Sequence, residues 1–181
     1  MNIDPDGFLK RHHREPSPEL IGKKVVHGHF YVRKYELLKG CARIVFIRHP
    51  VERLISHYYF WLKLARSGHS LHEYVLDNNL SLLQFAQLPS TRYLYTRVYF
   101  REVDMKVFDF IGVFEDLPQE TERLGRLLGK KIVLERANAN PDPAYVDQRR
   151  RIMEDHEMVA ALHASLAEDI RFYERVTNRI A

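Results

Sequence analysis

Cysteine is nearly absent from this 181-residue chain, in which Cys41 is the single example. One cysteine cannot form an internal disulfide or build a cysteine-based metal site, and such usage is typical of a reducing compartment. Residues 1–18 are polar and lack the apolar stretch of a signal peptide. No run approaches the roughly 20 apolar residues that cross a bilayer. We therefore expect a cytoplasmic protein without a membrane span, unless a segment upstream of Met1 carries an anchor.

The charge balance is mildly basic, with a formal net charge of +4 and a pI of about 9.2. Such a balance favours anionic partners, and a phosphorylated cofactor or a sulfated sugar suits it as well as nucleic acid does. The one dense basic run, residues 149–151, is followed at once by acidic residues. This pattern is typical of a solvated helix start, so we expect no nucleic-acid binding.

Strands and helices alternate along the chain, which predicts one α/β domain over residues 1–181 with a small parallel sheet. The content of hydrophobic residues, 45%, is enough to bury a core. Residues 1–22 form an N-terminal arm, with a short helix over residues 8–13. Strands are predicted at residues 24–31, 42–47 and 108–114, and helices at residues 50–67, 71–76, 80–86, 118–129 and 154–175. Residues 89–101 are ambiguous, and residues 138–143 are a loop.

The segment 42–61 is the most informative part of the chain. Residues 42–47 predict a strand buried on both faces, and Pro50 suits the first position of a helix. Anions bind at helix N-termini beyond the carboxyl ends of such strands, and Arg48 stands at that point with a guanidinium suited to phosphate. Ser56, two turns further along, could complete a two-point clamp. The alternatives are an ion-paired surface arginine and an exposed serine.

Two histidines, His27 and His29, flank Gly28 at the end of the first predicted strand. Side chains two apart on a strand point the same way, and imidazole is a suitable base near neutral pH. The pair could instead form half of a metal site, although no third and fourth ligands are evident. A structural pair, with Gly28 marking a bend, is a further alternative.

Residues 46–59 resemble the 3′-phosphate-binding motif of carbohydrate sulfotransferases, nearest to the uronyl and heparan sulfate 2-O-sulfotransferases and their bacterial relatives. Those enzymes have an Arg-x-Pro-x-x-Arg-x-x-Ser pattern, with Asp where this chain has His49. The resemblance implies a three-layer, P-loop NTPase-like sulfotransferase fold. It implies that Arg48 and Ser56 bind 3′-phosphoadenosine 5′-phosphosulfate, that His29 is the base assisted by His27, and that no metal is needed. The acceptor would be a hydroxyl of a carbohydrate.

Three further segments resemble the same family: residues 110–117 its later strand, residues 166–174 its final helix, and residues 91–93 a triplet near donor and acceptor. In the final helix, Asp169 and Tyr173 share a face, and a structural role is expected for both.

One family element is missing, because no strand followed by a Pro-Lys-x-Gly-Thr-Ser loop precedes His27. We therefore expect a domain without the first strand and its 5′-phosphosulfate loop. The alternative function is a truncated or degenerate nucleotide-binding module without activity. Loss of that strand would open a sheet edge, which predicts that residues 1–22 cover it or that the protein forms a homo-oligomer.

Overall fold

The computed structural model describes residues 2–3, 22–29, 32–35, 38–66, 68–134 and 143–179. The predicted helix at residues 8–13 and nearly all of the predicted loop at residues 138–143 lie outside these ranges. Most of the N-terminal arm, residues 1–22, also lies outside these ranges. The prediction that the arm covers a sheet edge can therefore be compared with the structure only at Asn2–Ile3.

Parallel strand pairs form the sheet structure of the described residues. Strand β1 (Asn2–Ile3) pairs with β2 (Val26–His27), so this end of the arm lies against the strand that contains His27. Strand β3 (Ile44–Ile47) pairs with β4 (Phe110–Val113), with Ile44 opposite Phe110. The predicted strands are thus present but shorter, and the protein is a helix-rich α/β fold with a small parallel sheet.

Eight α-helices occupy most of the remaining described residues. They are α1 (Pro50–Lys63), α2 (Ser70–Asp77), α3 (Leu82–Gln87), α4 (Pro89–Arg92), α5 (Leu117–Leu128), α6 (Tyr145–Glu154), α7 (His156–Ser165) and α8 (Ala167–Thr177). A π-helical segment, Leu94–Tyr99, follows α4 in the region that the sequence left ambiguous. Short 3-10 turns lie at Val32–Tyr35, Met105–Val107 and Phe114–Asp116.

Strand β3 is less buried than its apolar sequence predicts. Ile47 is 1% exposed, but Ile44 at the other end of the strand is 37% exposed. The prediction of burial on both faces is therefore wrong for the amino-terminal half of β3. The core forms only around its carboxyl end, where Ile47 joins a cluster with α8 and the π-helical segment. Opposite Phe46, a Cβ built on Gly112 would lie 2.5 Å from the Phe46 ring, so this pairing requires glycine.

Two helix ends differ from the sequence prediction. Helix α1 stops at Lys63 rather than near residue 67, because Leu64 adopts an extended backbone with ψ of 135°. Helix α5 begins at Leu117 rather than at residue 118, and the side chain of Asp116, at its capping position, makes no capping hydrogen bond. The predicted end of this helix at residue 129 is confirmed, since Gly129 ends α5 in the left-handed conformation with φ of 61°.

The predicted long C-terminal helix, residues 154–175, is two helices, α7 and α8, and it is preceded by α6, which the sequence did not predict. Asp155 separates α6 from α7, and its carboxylate accepts a hydrogen bond of 3.0 Å from the backbone N–H of Met158. Aspartate favours such caps over helix interiors because its short side chain competes for backbone donors. Leu166 separates α7 from α8. The apolar spacing continues through Leu166, so periodicity alone could not reveal this break.

Two hydrophobic clusters form the core, and α8 contributes to both. The first cluster joins α1, α2, α3 and α7, and its α8 member is Ile170. The second surrounds the carboxyl end of β3, and its α8 members are Phe172 and Val176. The fully buried side chains of the first cluster include Leu54, Ile55, Val75, Phe85, Leu162 and Leu166.

The buried carboxylate of Asp169 joins α8 to the π-helical segment. It accepts hydrogen bonds from the backbone N–H of Tyr95 at 2.9 Å, the backbone N–H of Thr96 at 3.0 Å and the Thr96 hydroxyl at 2.8 Å. Asp169 is 0% exposed. Burial raises the pKa of Asp169, and the three hydrogen bonds oppose that rise. These contacts agree with the structural role expected for this residue.

Replacing Asp169 with asparagine should destabilise the protein by about 2 to 4 kcal/mol, because an amide NH2 would then face backbone donors in a buried site. The free energy of urea unfolding measures the effect. The matched control is Glu168→Gln on the neighbouring residue, which forms an exposed ion pair with Arg97. Its cost should stay below about 1 kcal/mol. Equal losses in the two variants would contradict the role assigned to Asp169.

Candidate anion site at the start of α1

Arg48 lies between the carboxyl end of β3 and the first residue of α1, as predicted. Its backbone is fixed by the Tyr95 hydroxyl, which accepts a hydrogen bond of 2.9 Å from the Arg48 N–H and donates one of 2.8 Å to the Arg48 carbonyl. The Tyr95 hydroxyl thus forms hydrogen bonds with both the backbone N–H and the backbone carbonyl of Arg48. The sequence did not identify Tyr95, because the π-helical segment that presents it has no distinct pattern.

The side chain of Arg48 points along α1 rather than away from the protein. Its Nη2 lies 3.6 Å from Oε2 of Glu52, and its Cζ lies 5.0 Å from the ring centroid of Phe114. The first distance exceeds that of a normal hydrogen bond, so the contact is a loose ion pair. Arg48 keeps 25% of its side chain exposed. It can therefore reach a ligand from a position braced by an aromatic face.

Glu52 binds a second arginine more tightly than it binds Arg48. The Nε of Arg149 in α6 donates a hydrogen bond of 2.8 Å to Oε2 of Glu52, and Nη2 of Arg149 donates to Oε1. The Glu52 side chain is only 15% exposed. Its hydrogen bond raises the pKa of Arg149. One carboxylate is therefore shared by two guanidinium groups, and the three side chains carry a formal charge of +1.

Ser56 lies on the same face of α1 as Glu52, one turn further along, which is about 6 Å at the rise of a helix. Ser56 is half-buried, and its hydroxyl makes no hydrogen bond to any residue in the described ranges. The structure therefore places Arg48 and Ser56 on one face, with the Glu52 carboxylate between them. The two-point clamp of Arg48 and Ser56 stays a prediction, and Glu52 is the acidic side chain that contacts its arginine.

Arg53, the second arginine of the motif, is directed into the protein. Its Nη2 donates a hydrogen bond of 2.9 Å to the Thr91 carbonyl, and its Cζ lies 5.4 Å from the ring centroid of Tyr95. Its Nε and Nη1 are buried without partners among the described residues. Burial lowers the pKa of Arg53, and the nearby Tyr95 and Asp169 oppose this. The guanidinium nonetheless stays charged, because arginine keeps its proton in proteins.

Thr91 and Arg92, from the triplet compared with donor- and acceptor-binding residues, serve the fold instead. Thr91 is 1% exposed, and its hydroxyl donates to the Phe85 carbonyl and lies 3.0 Å from the Leu88 carbonyl. Arg92 Nε donates a hydrogen bond of 2.9 Å to the Ser165 carbonyl. Their polar groups are therefore engaged within the helical part of the protein.

His49, the departure from the family pattern, is held by Glu115. The His49 backbone N–H donates a hydrogen bond of 2.8 Å to Oε1 of Glu115, whose Oε2 accepts one of 3.2 Å from the Tyr173 hydroxyl. The His49 ring lies edge-on to Tyr173 with ring centroids 5.4 Å apart. Glu115 thus connects the start of α1 to α8. The sequence singled out neither Glu115 nor Tyr173 as a ligand.

The two predicted catalytic histidines lie at the end of β2 and just beyond it. The strand ends at His27, and Gly28 forms a bend with φ of 153°, so strand alternation does not extend to His29. Although His29 as a residue is exposed, its ring stacks on Tyr99 with centroids 6.0 Å apart. Burial against that ring, and then the charge of His27, lower the pKa of His29. At neutral pH its imidazole is therefore uncharged and able to accept a proton.

His57 is a third histidine of this region, and the sequence analysis did not consider it. Its ring packs edge-on against Trp61 at 4.4 Å and against Phe85 at 5.3 Å between centroids. Burial, followed by the charges of Arg53 and His29, lowers the pKa of His57 to about 3. The only sequence signal for it was its place one residue after Ser56 on a helix with many aromatic residues.

No group of histidine, cysteine, aspartate and glutamate side chains in the described ranges is arranged to hold a metal ion. Among the described residues, His27 and His29 therefore have no further side chains arranged with them to complete a metal site. In the same ranges, no helix has the length and apolar character needed to cross a membrane.

The depressed pKa of His57 should make the protein less stable as the pH falls. An unfolded chain protonates this histidine near pH 6.5, whereas the native state does so only near pH 3. The unfolded state therefore binds the extra proton between these values, and acidification favours unfolding by up to about 1.4 kcal/mol per pH unit. His57→Phe should reduce this slope in urea unfolding measured from pH 7 to pH 4.

His156→Phe is the matched control, because His156 is exposed. Part of the slope should remain in His57→Phe, since the pKa values of His29 and His49 are also lowered. A slope that is the same in wild type and His57→Phe would contradict the assignment.

Comparison of the chain with protein-family models, with curated proteins and with solved structures gives no match in any of the three. The resemblance of residues 46–59 to a sulfotransferase motif is therefore not supported by any of these comparisons.

Proposed function

We propose that this protein is a sulfotransferase, which transfers a sulfuryl group from 3′-phosphoadenosine 5′-phosphosulfate to a hydroxyl group, most simply that of a carbohydrate. The observation that carries the proposal is the position of Arg48 after a parallel strand and at the start of a helix, with its backbone held by the Tyr95 hydroxyl. The finer description, a P-loop NTPase-like sulfotransferase fold in three layers, is part of the same proposal.

The donor would bind through its 3′-phosphate. A phosphate monoester carries up to two negative charges, and the positive end of the α1 dipole together with the guanidinium of Arg48 favours it. The unpartnered hydroxyl of Ser56 could donate a further hydrogen bond to the same group. The formal charge of +1 on Arg48, Glu52 and Arg149 gives the site the sign that an anionic ligand requires.

The acceptor would react on the side of His29. Its neutral imidazole would take the proton of the acceptor hydroxyl while the hydroxyl oxygen bonds to sulfur. The bond between sulfur and the bridging phosphate oxygen breaks, and adenosine 3′,5′-bisphosphate leaves with the electron pair. Burial, followed by the charge of His27, lowers the pKa of His29 and so favours its neutral form.

A nucleotide-binding module without transferase activity is the second candidate. It requires no Pro-Lys-x-Gly-Thr-Ser segment, and the 181 residues contain none. In this family, the lysine of that segment stabilises the charge that develops on the leaving phosphate. A preorganised cradle of this kind contributes several kcal/mol to transition-state stabilisation. The two candidates share nucleotide binding and differ only in transfer.

Nucleotide binding tests what both candidates require. Titration calorimetry with adenosine 3′,5′-bisphosphate should show saturable binding to the wild-type protein. Arg48→Met should weaken it by about tenfold or more, because a hydrogen bond to a charged group contributes roughly 1.5 to 3 kcal/mol. The matched control is Arg66→Met, which removes an exposed arginine paired with Asp77 at the far end of α1. Wild-type protein that binds no nucleotide at high micromolar concentration would reject both candidates.

Transfer separates the two candidates. With labelled donor and a mixture of desulfated glycosaminoglycans, the enzyme should release labelled polysaccharide. His29→Ala should lower kcat by about 10² to 10⁴-fold, as expected for loss of a general base, and should leave the nucleotide Kd within about twofold. His27→Ala should have a smaller effect. Nucleotide binding without any transfer by the wild-type protein would favour the inactive module.

A further inference from the structure

We propose that Arg149 is a positioning residue, which keeps Arg48 available to an anion by engaging the carboxylate of Glu52. The inference rests on the proposed function for the identity of that anion, the 3′-phosphate of the nucleotide. It adds a residue from α6, far along the chain, to a site that the motif places at β3 and α1.

The two arginines contact Glu52 with unequal geometry. Arg149 contributes both a 2.8 Å hydrogen bond from Nε and a second one from Nη2, which together form a bidentate pair with the carboxylate. Arg48 contributes only a 3.6 Å contact from Nη2. A bidentate arginine–carboxylate pair is among the strongest and most directional ion pairs in proteins. Glu52 is therefore held by Arg149, and Arg48 can leave it without leaving a buried charge unpaired.

Removal of Arg149 would reverse this preference. The Glu52 side chain is only 15% exposed, so it would need another cation, and Arg48 lies one helical turn away on the same face. Arg48 would then close on Glu52, and the carboxylate would also repel an incoming dianion. An anion would then meet an Arg48–Glu52 ion pair of zero net charge, whereas the wild-type site has a formal charge of +1.

The position of α6 makes this contact dependent on how the C-terminal helices dock. Glu52 and Arg149 are 97 residues apart in sequence, and no short-range pattern connects them. The Tyr145 ring of α6 also lies against Tyr59 of α1, with ring centroids 6.0 Å apart. Docking of α6 on α1 therefore determines the net charge of the candidate site, to which Arg149 contributes, as well as its shape.

A four-protein comparison tests the inference with adenosine 3′,5′-bisphosphate as ligand: wild type, Arg149→Gln, Glu52→Gln and the double variant. Arg149→Gln should weaken binding by about fivefold to tenfold, the effect of about 1 to 1.4 kcal/mol. Glu52→Gln should bind as well as wild type or better. The double variant should return to within about twofold of wild type, because no carboxylate then competes for Arg48.

This pattern distinguishes a positioning role from a merely structural one. If Arg149 only stabilised the docking of α6, Glu52→Gln would weaken binding as Arg149→Gln does, and the double variant would not recover. Arg150→Gln is the matched control, since Arg150 is the next residue in α6 and pairs with Asp147 at 2.9 Å on the surface. Circular dichroism and the thermal midpoint would show that all variants are folded.

A second measurement does not depend on the nucleotide. Modification by hydroxyphenylglyoxal, followed by peptide mass spectrometry, reports how freely the guanidinium of Arg48 reacts. Its rate should fall about threefold or more in Arg149→Gln and recover in the double variant, since a tight ion pair protects arginine from the reagent. If wild type binds no nucleotide but the rates follow this order, the proposed function is rejected and the role of Arg149 is supported. Unchanged rates and affinities in Arg149→Gln would overturn the inference.

Discussion

The buried carboxylate of Asp169 is the contact on which the candidate site depends. It binds the backbone of Tyr95 and Thr96, and so fixes the π-helical segment against α8. From that segment, the Tyr95 hydroxyl holds both polar backbone groups beside Arg48. A charged side chain at the surface is therefore oriented by a chain of hydrogen bonds that begins in the core. π-Helical turns are rare and accompany functional sites, and here the turn presents Tyr95 toward Arg48.

The region around α1 carries more positive charge than the predicted pair of ligands, Arg48 and Ser56, would supply. Arg53 is buried beneath the site with two nitrogens that lack partners in the described ranges, and Arg149 approaches from α6. Burying a guanidinium is costly unless its donors are satisfied. Glu52 offsets part of this charge, and it does so from the centre of the face shared by Arg48 and Ser56. The local balance of charge is therefore set by residues from three separate parts of the chain.

Local patterns predicted much of the framework. The apolar run that ends before Arg48 correctly located β3. Pro50 located the start of α1, and Gly129 located the end of α5. Each of these signals acts through short-range sterics or hydrogen bonding. The break at Leu166 was missed, since the apolar stripe runs through it without a change of period, and α6 was not predicted. The contacts that shape the site were also missed. The pairs of Tyr95 with Arg48, Asp169 with Tyr95, and Arg149 with Glu52 span 47, 74 and 97 residues, and only the tertiary fold brings such residues together.

The share of α8 in both hydrophobic clusters has a consequence for how the protein unfolds. Ile170 packs with the helical cluster, while Phe172 and Val176 pack around the end of β3. A single short helix thus packs into both cores. Detachment of α8 would expose both at once, so a partly folded state that keeps one core intact has little to stabilise it. The C-terminal helix is in this sense the element that makes folding of the described core a single transition.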